Sequence, residues 1–443
     1  MTDRPTAEAS NRTRRHIGRP RRLLFSATYL LLLYLVTELL VFVIYGVYSG
    51  RIDWMDSIGR ERSDLLHKLA TRESLVLQVH PFVGYTEVPP KGACGGTDGK
   101  LHDCVVSRYG YVDEKSPIQS RSPGKVIVGI MGGSVACGFY LDGTKRLGEA
   151  LSKAPAFAGK EIVFVDIAVS GYKQPQQLMT LNYLLTLGAE FDVIVNIDGF
   201  NDAVLYEAEN LGNRVFPAFP RSWHSRVSTS GPRVAKYVGR LEHQVETRED
   251  MARGYSRLPW RYSPLCNLLW WIFDSRAEIR MIELQDEYRK DAPSTPNYAV
   301  EGPGATFTSR AELYQQLVSI WKNSSIQLDK LCAANGIRYF HFLQPNLVLS
   351  GSKPLTADER FMADHRDEMY RPGIRDGYPL MIREGRDLKA RGERFTDLTR
   401  MFDGHAEPVY CDICHFYQAG NDVMADRVAE AILDDYRTAA KDR

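Results

Sequence analysis

The sequence predicts a three-layer α/β domain in which helices cover both faces of a parallel sheet. The chain has 443 residues, of which 44% are hydrophobic and 25% charged, as in ordinary globular proteins. Short apolar runs rich in β-branched residues alternate with helical stretches, and this alternation is typical of a parallel sheet covered by helices. The runs that we interpret as strands are Lys125–Met131, Glu161–Ile167, Asp192–Asp198 and Ile337–Leu343.

Helices are predicted between these strands and after the last of them. The strands are apolar at nearly every position, which fits burial on both faces of the sheet. With the common flavodoxin-like strand order 2-1-3-4, the first and third strands lie side by side. The pattern does not place a fifth strand. The predicted helical stretches are about 143–153, 174–187, 310–334, 357–390 and 420–439.

The N-terminal region predicts a single membrane anchor. Residues 23–48 are almost wholly apolar and, at about 1.5 Å per residue, are long enough to cross a bilayer. The arginines before this span predict that residues 1–22 form a basic cytoplasmic tail and that the remaining chain lies outside, in the periplasm of a bacterium. A cleaved signal peptide and a buried soluble helix are alternatives. Glu38, within the span, is expected to be protonated, to snorkel or to pair with another helix.

The remaining chain is predicted to have three parts. Residues 49–122 are interpreted as a stalk or cap, and residues 123–443 as the α/β domain, interrupted by an insertion at about 205–308. The insertion contains a predicted helix, Pro264–Lys290, with several large apolar residues. These residues are expected to pack on the core; the alternative is that they form a substrate lid or a contact with the membrane surface. Lys and Arg number 56 against 55 Asp and Glu, so the composition gives no support for nucleic-acid binding.

Four short motifs carry the candidate chemistry. Three follow the first three predicted strands, and the fourth lies near the C-terminus. Each alone is typical of an ordinary turn or helix cap. Since the carboxyl ends of neighbouring parallel strands meet at one edge of the sheet, the first three motifs are expected to converge there. The motifs are Gly132-Gly133-Ser134, Ser170-Gly171-Tyr172, Gly199-Phe200-Asn201-Asp202 and Asp412-Ile413-Cys414-His415.

Together, the side chains of these motifs predict nucleophilic catalysis. Ser134 is the candidate nucleophile, presented at the start of a helix by the preceding glycines. His415 is the candidate general base, and Asp412, three residues earlier, can fix its tautomer and stabilise the imidazolium. The Asn201 amide is a neutral donor suited to a developing oxyanion.

The C-terminal motif has two other interpretations. Cys411-Asp412-Ile413-Cys414-His415 is a CxxCH string, which is the usual attachment pattern of c-type haem. A disulfide between Cys411 and Cys414 is another alternative. Haem attachment would leave Ser134 and Asn201 without a role. Elsewhere, Cys94 and Cys104 bracket a loop rich in Gly and Asp and are the best predicted disulfide pair.

In this order, the four motifs resemble the sequence blocks of the SGNH/GDSL hydrolase superfamily. The resemblance covers about 125–203 and 337–439 and implies the SGNH hydrolase fold. The chain departs from it at Gly133, where the family has Asp, which is not a triad member. The resemblance implies a Ser134–His415–Asp412 triad and an oxyanion hole formed by Ser134, Gly171 and Asn201.

The activity implied by this resemblance is hydrolysis of acyl esters outside the cytoplasm, with O-acetyl groups on a glycan or an acylated lipid as candidate substrates. No metal or cofactor is implied. One alternative is a membrane-tethered O-acyltransferase of exported polysaccharide. Family members of that kind tend to carry the Asp-His motif before the serine, whereas here it follows. A non-catalytic binding module of the same fold is a second alternative.

Overall fold

The computed structural model describes residues 19–74, 77–95, 101–227, 232–290, 297–365 and 367–441. Most of the predicted cytoplasmic tail lies outside these residues. The strands are β1 (Gln78–His80), β2 (Gly84–Thr86), β3 (Lys91–Gly95), β4 (Leu101–Val105), β5 (Lys125–Gly132), β6 (Glu161–Asp166), β7 (Val193–Asp198), β8 (Arg338–Leu343) and β9 (Phe395–Asp397). The helices are α1 (Arg19–Ser49), α2 (Trp54–Ser74), α3 (Ser134–Ser152), α4 (Gln176–Thr186), α5 (Phe200–Leu205), α6 (Trp223–Arg226), α7 (Pro232–Ser256), α8 (Pro264–Lys290), α9 (Tyr298–Glu301), α10 (Arg310–Ala334), α11 (Ala357–His365), α12 (Arg371–Ala390) and α13 (Gln418–Lys441).

The chain divides into two compact units. The first combines Met1–Lys68 with Glu242–Glu283, and the second combines Leu69–Leu241 with Leu284–Arg443. The first unit therefore contains α1, most of α2 and the segments of α7 and α8 that are joined by their connecting turn.

The second unit is an α/β domain around a parallel sheet, which confirms the predicted class. Within the described residues this sheet has five strands in the order β6-β5-β7-β8-β9, so the predicted order of the first four is confirmed. β5 pairs with β6 on one side, with Ile130 opposite Asp166, and with β7 on the other, with Val128 opposite Val193. The carboxyl ends of β5 and β7 therefore lie side by side at the edge that carries the motifs.

Helices cover both faces of the sheet because residues alternate along its strands. Val128 and Ile130 of β5 face α3 and α13 and pack in one core cluster with Phe139 and Val428. Ile127 faces the opposite side. There it packs with residues of β6, β7, α4 and α10, among them Val165, Ile194, Leu184 and Leu328.

The structure differs from the sequence prediction at several elements. The fifth strand, β9, is three residues long, and only Phe395 of it is fully buried. α3 begins at Ser134, as the glycine motif predicts, and therefore extends nine residues before the helical stretch predicted at about 143–153. Residues 77–95 and 101–122 contain two antiparallel strand pairs, β1–β2 and β3–β4, within the region predicted to form a stalk or cap.

The first unit is helical and includes the predicted anchor. Leu23–Ser49 has a mean hydropathy of 2.4 and is almost entirely exposed, so α1 is long and apolar enough to cross a membrane. Trp54 of α2 packs on α1, and its indole Nε1 donates to the Phe42 carbonyl at 3.2 Å. Trp270 of α8 is buried in the same cluster, so it packs within this unit.

Candidate active site

The turn after β5 places Ser134 at the first position of α3. Gly132 has a φ of +145° and passes so close to β7 that a Cβ there would lie 2.1 Å from the Ile197 carbonyl oxygen. Only glycine fits this close approach between backbones. Gly133 accepts the first helical hydrogen bond, from Cys137 N at 3.1 Å. Ser134 therefore points from the sheet edge at the N-terminus of a helix.

The structure brings Ser134, His415 and Asp412 into one hydrogen-bonded chain. His415 Nε2 lies 2.7 Å from Ser134 Oγ, and His415 Nδ1 lies 2.6 Å from Asp412 Oδ2. The other carboxylate oxygen of Asp412 accepts from the backbone N–H of Cys414 and of His415, both at 2.8 Å. Three-residue spacing thus lets one short turn hold both the carboxylate and the imidazole.

These contacts shift the pKa of both members of the pair. Burial disfavours the imidazolium, but the neighbouring Cys414 sulfur and the Asp412 carboxylate stabilise it, and the net effect raises the pKa of His415 above its ordinary 6.5. Burial alone would raise the pKa of Asp412, but the imidazolium and the two backbone N–H groups hold it well below its usual range. Asp412 is therefore ionised at neutral pH and can stabilise the positive charge on His415 during proton transfer.

A buried ion pair, which the sequence did not reveal, holds the segment that leads into this turn. Glu359 of α11 is 1% exposed, and its Oε1 accepts from Val409 N at 3.0 Å and from Tyr410 N at 3.3 Å. Its second oxygen pairs with Lys353, which also donates to the Glu407 carbonyl at 3.0 Å. Because the carboxylate fixes the backbone just before Asp412, Glu359 is a positioning residue for the candidate triad.

Asn201 lies directly against the turn that carries Ser134. A Cβ on Gly133 would come within 2.3 Å of Asn201 Nδ2, so the amide occupies the space that a side chain at position 133 would need. The same nitrogen donates to the Tyr172 carbonyl at 2.9 Å. Since an amide nitrogen carries two hydrogens, one remains available for a ligand beside Ser134.

Gly171 also lies at this edge, in the loop after β6. Its φ is +79°, and a Cβ there would collide with Arg221, so glycine is required both for conformation and for space. Arg221 is fixed by a bidentate pair with Glu209, and Tyr85 donates from its hydroxyl to the Ser170 carbonyl at 3.0 Å. Among the residues that the structure describes, the Gly171 N–H has no backbone acceptor.

Asp202 links the two loops that supply these donors. Its Oδ1 accepts from Gln174 N at 2.6 Å, and its Oδ2 accepts from Gly199 N at 3.2 Å. Burial and the neighbouring Asp198 raise the pKa of Asp202 to about 7. The predicted motif contained Asp202 without a role, and the three-residue spacing from Gly199 was the local signal of a helix cap.

A second serine–histidine–aspartate chain lies inside the domain. Ser325 Oγ is 2.8 Å from His341 Nδ1, and His341 Nε2 is 2.8 Å from Asp198 Oδ1. All three side chains are at most 2% exposed, and Asp198 also accepts from Trp321 Nε1 at 2.7 Å. Because no substrate can reach Ser325 there, this chain is a buried polar network, and Ser325 is a natural control for Ser134.

The cysteines near the triad are free thiols. The predicted disulfide alternative between Cys411 and Cys414 is wrong, since both cysteines are free. Burial raises the pKa of each thiol to about 11. Cys104 is in a disulfide, while the side chain of Cys94, its predicted partner, lies outside the described residues. Donor atoms of Asp412, Cys414 and His415 lie within 4.8 Å of one another and could hold a metal ion. Both ring nitrogens of His415 are already hydrogen-bonded, which favours the triad over metal or haem.

The structure brings together every residue that the sequence singled out for catalysis. Ser134, His415 and Asp412 form a chain of hydrogen bonds, Asn201 packs against the same turn, and Gly171 lies in the loop whose Tyr172 carbonyl binds Asn201. No model of a known protein family matches the chain, and no curated protein matches it.

Proposed function

We propose that this protein is a serine esterase of the SGNH type that hydrolyses acyl esters. The observation that carries the proposal is the hydrogen-bonded chain Ser134–His415–Asp412, with distances of 2.7 and 2.6 Å. The second support is the placement of the Asn201 amide beside the same serine. A binding module would have no need for an ionised aspartate behind a histidine that contacts a serine hydroxyl.

In the first half of the proposed reaction, Ser134 Oγ attacks the ester carbonyl while His415 Nε2 takes the hydroxyl proton. Asp412 stabilises the imidazolium through Nδ1. The developing oxyanion is held by the backbone N–H groups of Ser134 and Gly171 and by the amide of Asn201, which are donors fixed before the reaction begins. The leaving alcohol departs with the proton from His415, and the acyl group stays on Ser134.

In the second half, water replaces the alcohol. His415 takes a proton from this water, the resulting hydroxide attacks the acyl carbonyl, and the same donors hold the second oxyanion. Collapse of this intermediate breaks the bond to Ser134 Oγ, which recovers its proton from His415, and the carboxylic acid leaves. Short acyl groups on a glycan or a lipid are the candidate substrates.

The test is hydrolysis of p-nitrophenyl acetate by the full-length protein in detergent. Ser134→Ala should reduce kcat by about 10³-fold or more, as removal of a triad nucleophile does elsewhere. Ser325→Ala is the matched control, because it removes the buried serine that also contacts a histidine. Equal activity of Ser134→Ala and the unmodified protein would refute the proposal.

We also propose that α1 anchors the enzyme in a membrane as a single span with its N-terminus in the cytoplasm. The apolar run Leu23–Ser49 and the arginines that precede it support this orientation. The catalytic unit would then work outside the cytoplasm. A reporter enzyme that is active only outside the cytoplasm, fused after Arg443, should be active; an inactive fusion of normal abundance would contradict the orientation.

A further inference from the structure

The turn between α7 and α8 exposes large apolar side chains. We define the hairpin tip as Arg257–Ser263. Within it, Leu258 is 69% exposed, Trp260 50% and Tyr262 66%. Burying apolar area is worth about 25 cal/mol per Å², so three such neighbouring side chains favour contact with an apolar phase over water.

Glu38 fixes the hairpin tip to the middle of α1. Its Oε1 accepts from the Ser263 hydroxyl at 2.5 Å, and its Oε2 accepts from Leu265 N at 2.9 Å. Leu265 is in the first turn of α8, where backbone N–H groups lack helical acceptors and the helix dipole favours a negative group. The predicted alternative that Glu38 pairs with another helix is therefore confirmed.

α8 runs parallel to α1 from this point. The first contact joins Glu38 of α1 to Ser263, just before α8. The second joins Tyr45, seven residues after Glu38, to Trp271, eight residues after Ser263, with ring centroids 5.7 Å apart. Steps of seven and eight residues in the same direction mean that the two helices run side by side in parallel. The depth of each residue of α8 can thus be estimated from its neighbour on α1.

If α1 spans a membrane, the position of Glu38 sets the depth of the hairpin tip. If the hydrocarbon core begins at Leu23, a thickness of about 30 Å is crossed in about 20 residues, which ends near Phe42. Glu38 then lies about 6 Å inside the boundary, within the depth of about 5–10 Å at which interfacial segments are embedded. The hairpin tip, held at the level of Glu38, lies at the same depth.

The geometry points to a second membrane contact: the hairpin tip inserts into the bilayer surface on the C-terminal side of α1. This inference rests on the proposal that α1 spans the membrane, and it is independent of the esterase activity. Trp260 and Tyr262 are the side chains enriched at membrane–water interfaces. Arg257 and Arg261 can extend their guanidinium groups to the headgroups while their stems stay apolar.

The experiment uses the full-length protein in phosphatidylcholine nanodiscs, with photoreactive benzoylphenylalanine at one position at a time. Positions 260 and 262 test the hairpin tip, and Leu31, in the middle of the span, is the positive control. Ile279 is the matched negative control: it is 56% exposed and on α8, but about 24 Å along the helix from Ser263.

Positions 260 and 262 should form lipid adducts at a yield near that of position 31 and at least about five-fold above position 279, because the probe reacts with what surrounds it. Adducts at position 31 but only background at positions 260 and 262 would overturn the inference and leave the span intact. Crosslinks from position 260 to a second copy of the chain would also overturn it. Absence of adducts at position 31 would remove both the span and the second contact.

Discussion

Replacing Asn201 with alanine separates a catalytic role from a structural one. Among the residues that the structure describes, the side chain makes one hydrogen bond, the 2.9 Å contact with the Tyr172 carbonyl. Losing one such bond costs about 1 kcal/mol of folding free energy, or a few degrees in Tm. Losing one oxyanion donor costs about 10²–10³ in kcat, which corresponds to about 3–4 kcal/mol. Asn201→Ala should therefore fold nearly normally and turn over slowly.

The assay compares kcat for p-nitrophenyl acetate with Tm, measured on the same preparation. The loss should fall on kcat more than on KM, since the interaction is made in the transition state. Asn201→Asp should be slower than Asn201→Ala, because a carboxylate repels the oxyanion. Full activity together with a large fall in Tm would show that Asn201 is structural and would refute this reasoning.

Four further outcomes are expected. Gly133→Ala should lower kcat about ten-fold or more with a small change in Tm, because its methyl group displaces the Asn201 amide from its position; unchanged kcat would contradict this. The rate of labelling by a fluorophosphonate should fall as pH drops through a midpoint above 6.5, since His415 must be neutral to accept a proton and its pKa is raised. Asp412→Asn should move that midpoint to lower pH, and an unmoved midpoint would show that the carboxylate does not set it. Glu359→Gln should lower the free energy of unfolding by about 3–5 kcal/mol, because it leaves the buried charge of Lys353 without its carboxylate partner. Denaturant unfolding measures this loss, and a value below about 1 kcal/mol would contradict the expectation.

Much of the central sheet was predictable because its strands are continuous apolar runs. Beyond their first residues, Lys125–Met131 and Asp192–Asp198 are largely apolar and are buried on both faces, so their sequence is typical of interior strands. β9 could not be predicted in this way. It has three residues, and Thr396 and Asp397 are at least partly exposed, so it leaves no apolar run in the sequence.

The candidate triad was predictable because short motifs mark its members, whereas its supports were not. Asp202 binds Gln174 N, 28 residues away, and Glu359 binds Val409 N, 50 residues away. An aspartate after a turn and a glutamate in a polar helical stretch look like solvated side chains until the fold buries them. Contacts between residues so far apart in the sequence depend on tertiary packing, which the local sequence pattern does not predict.

Site mapping of a covalent probe tests the central claim most directly. The full-length protein is treated with a fluorophosphonate, digested, and analysed by mass spectrometry for the modified serine. The proposed triad predicts one adduct on Ser134 that disappears in Ser134→Ala, is greatly slowed in a His415→Ala variant and persists in Ser325→Ala. An unlabelled Ser134 in protein that is folded by its melting curve, or equal labelling in Ser134→Ala, would contradict the assignment of this serine as the nucleophile.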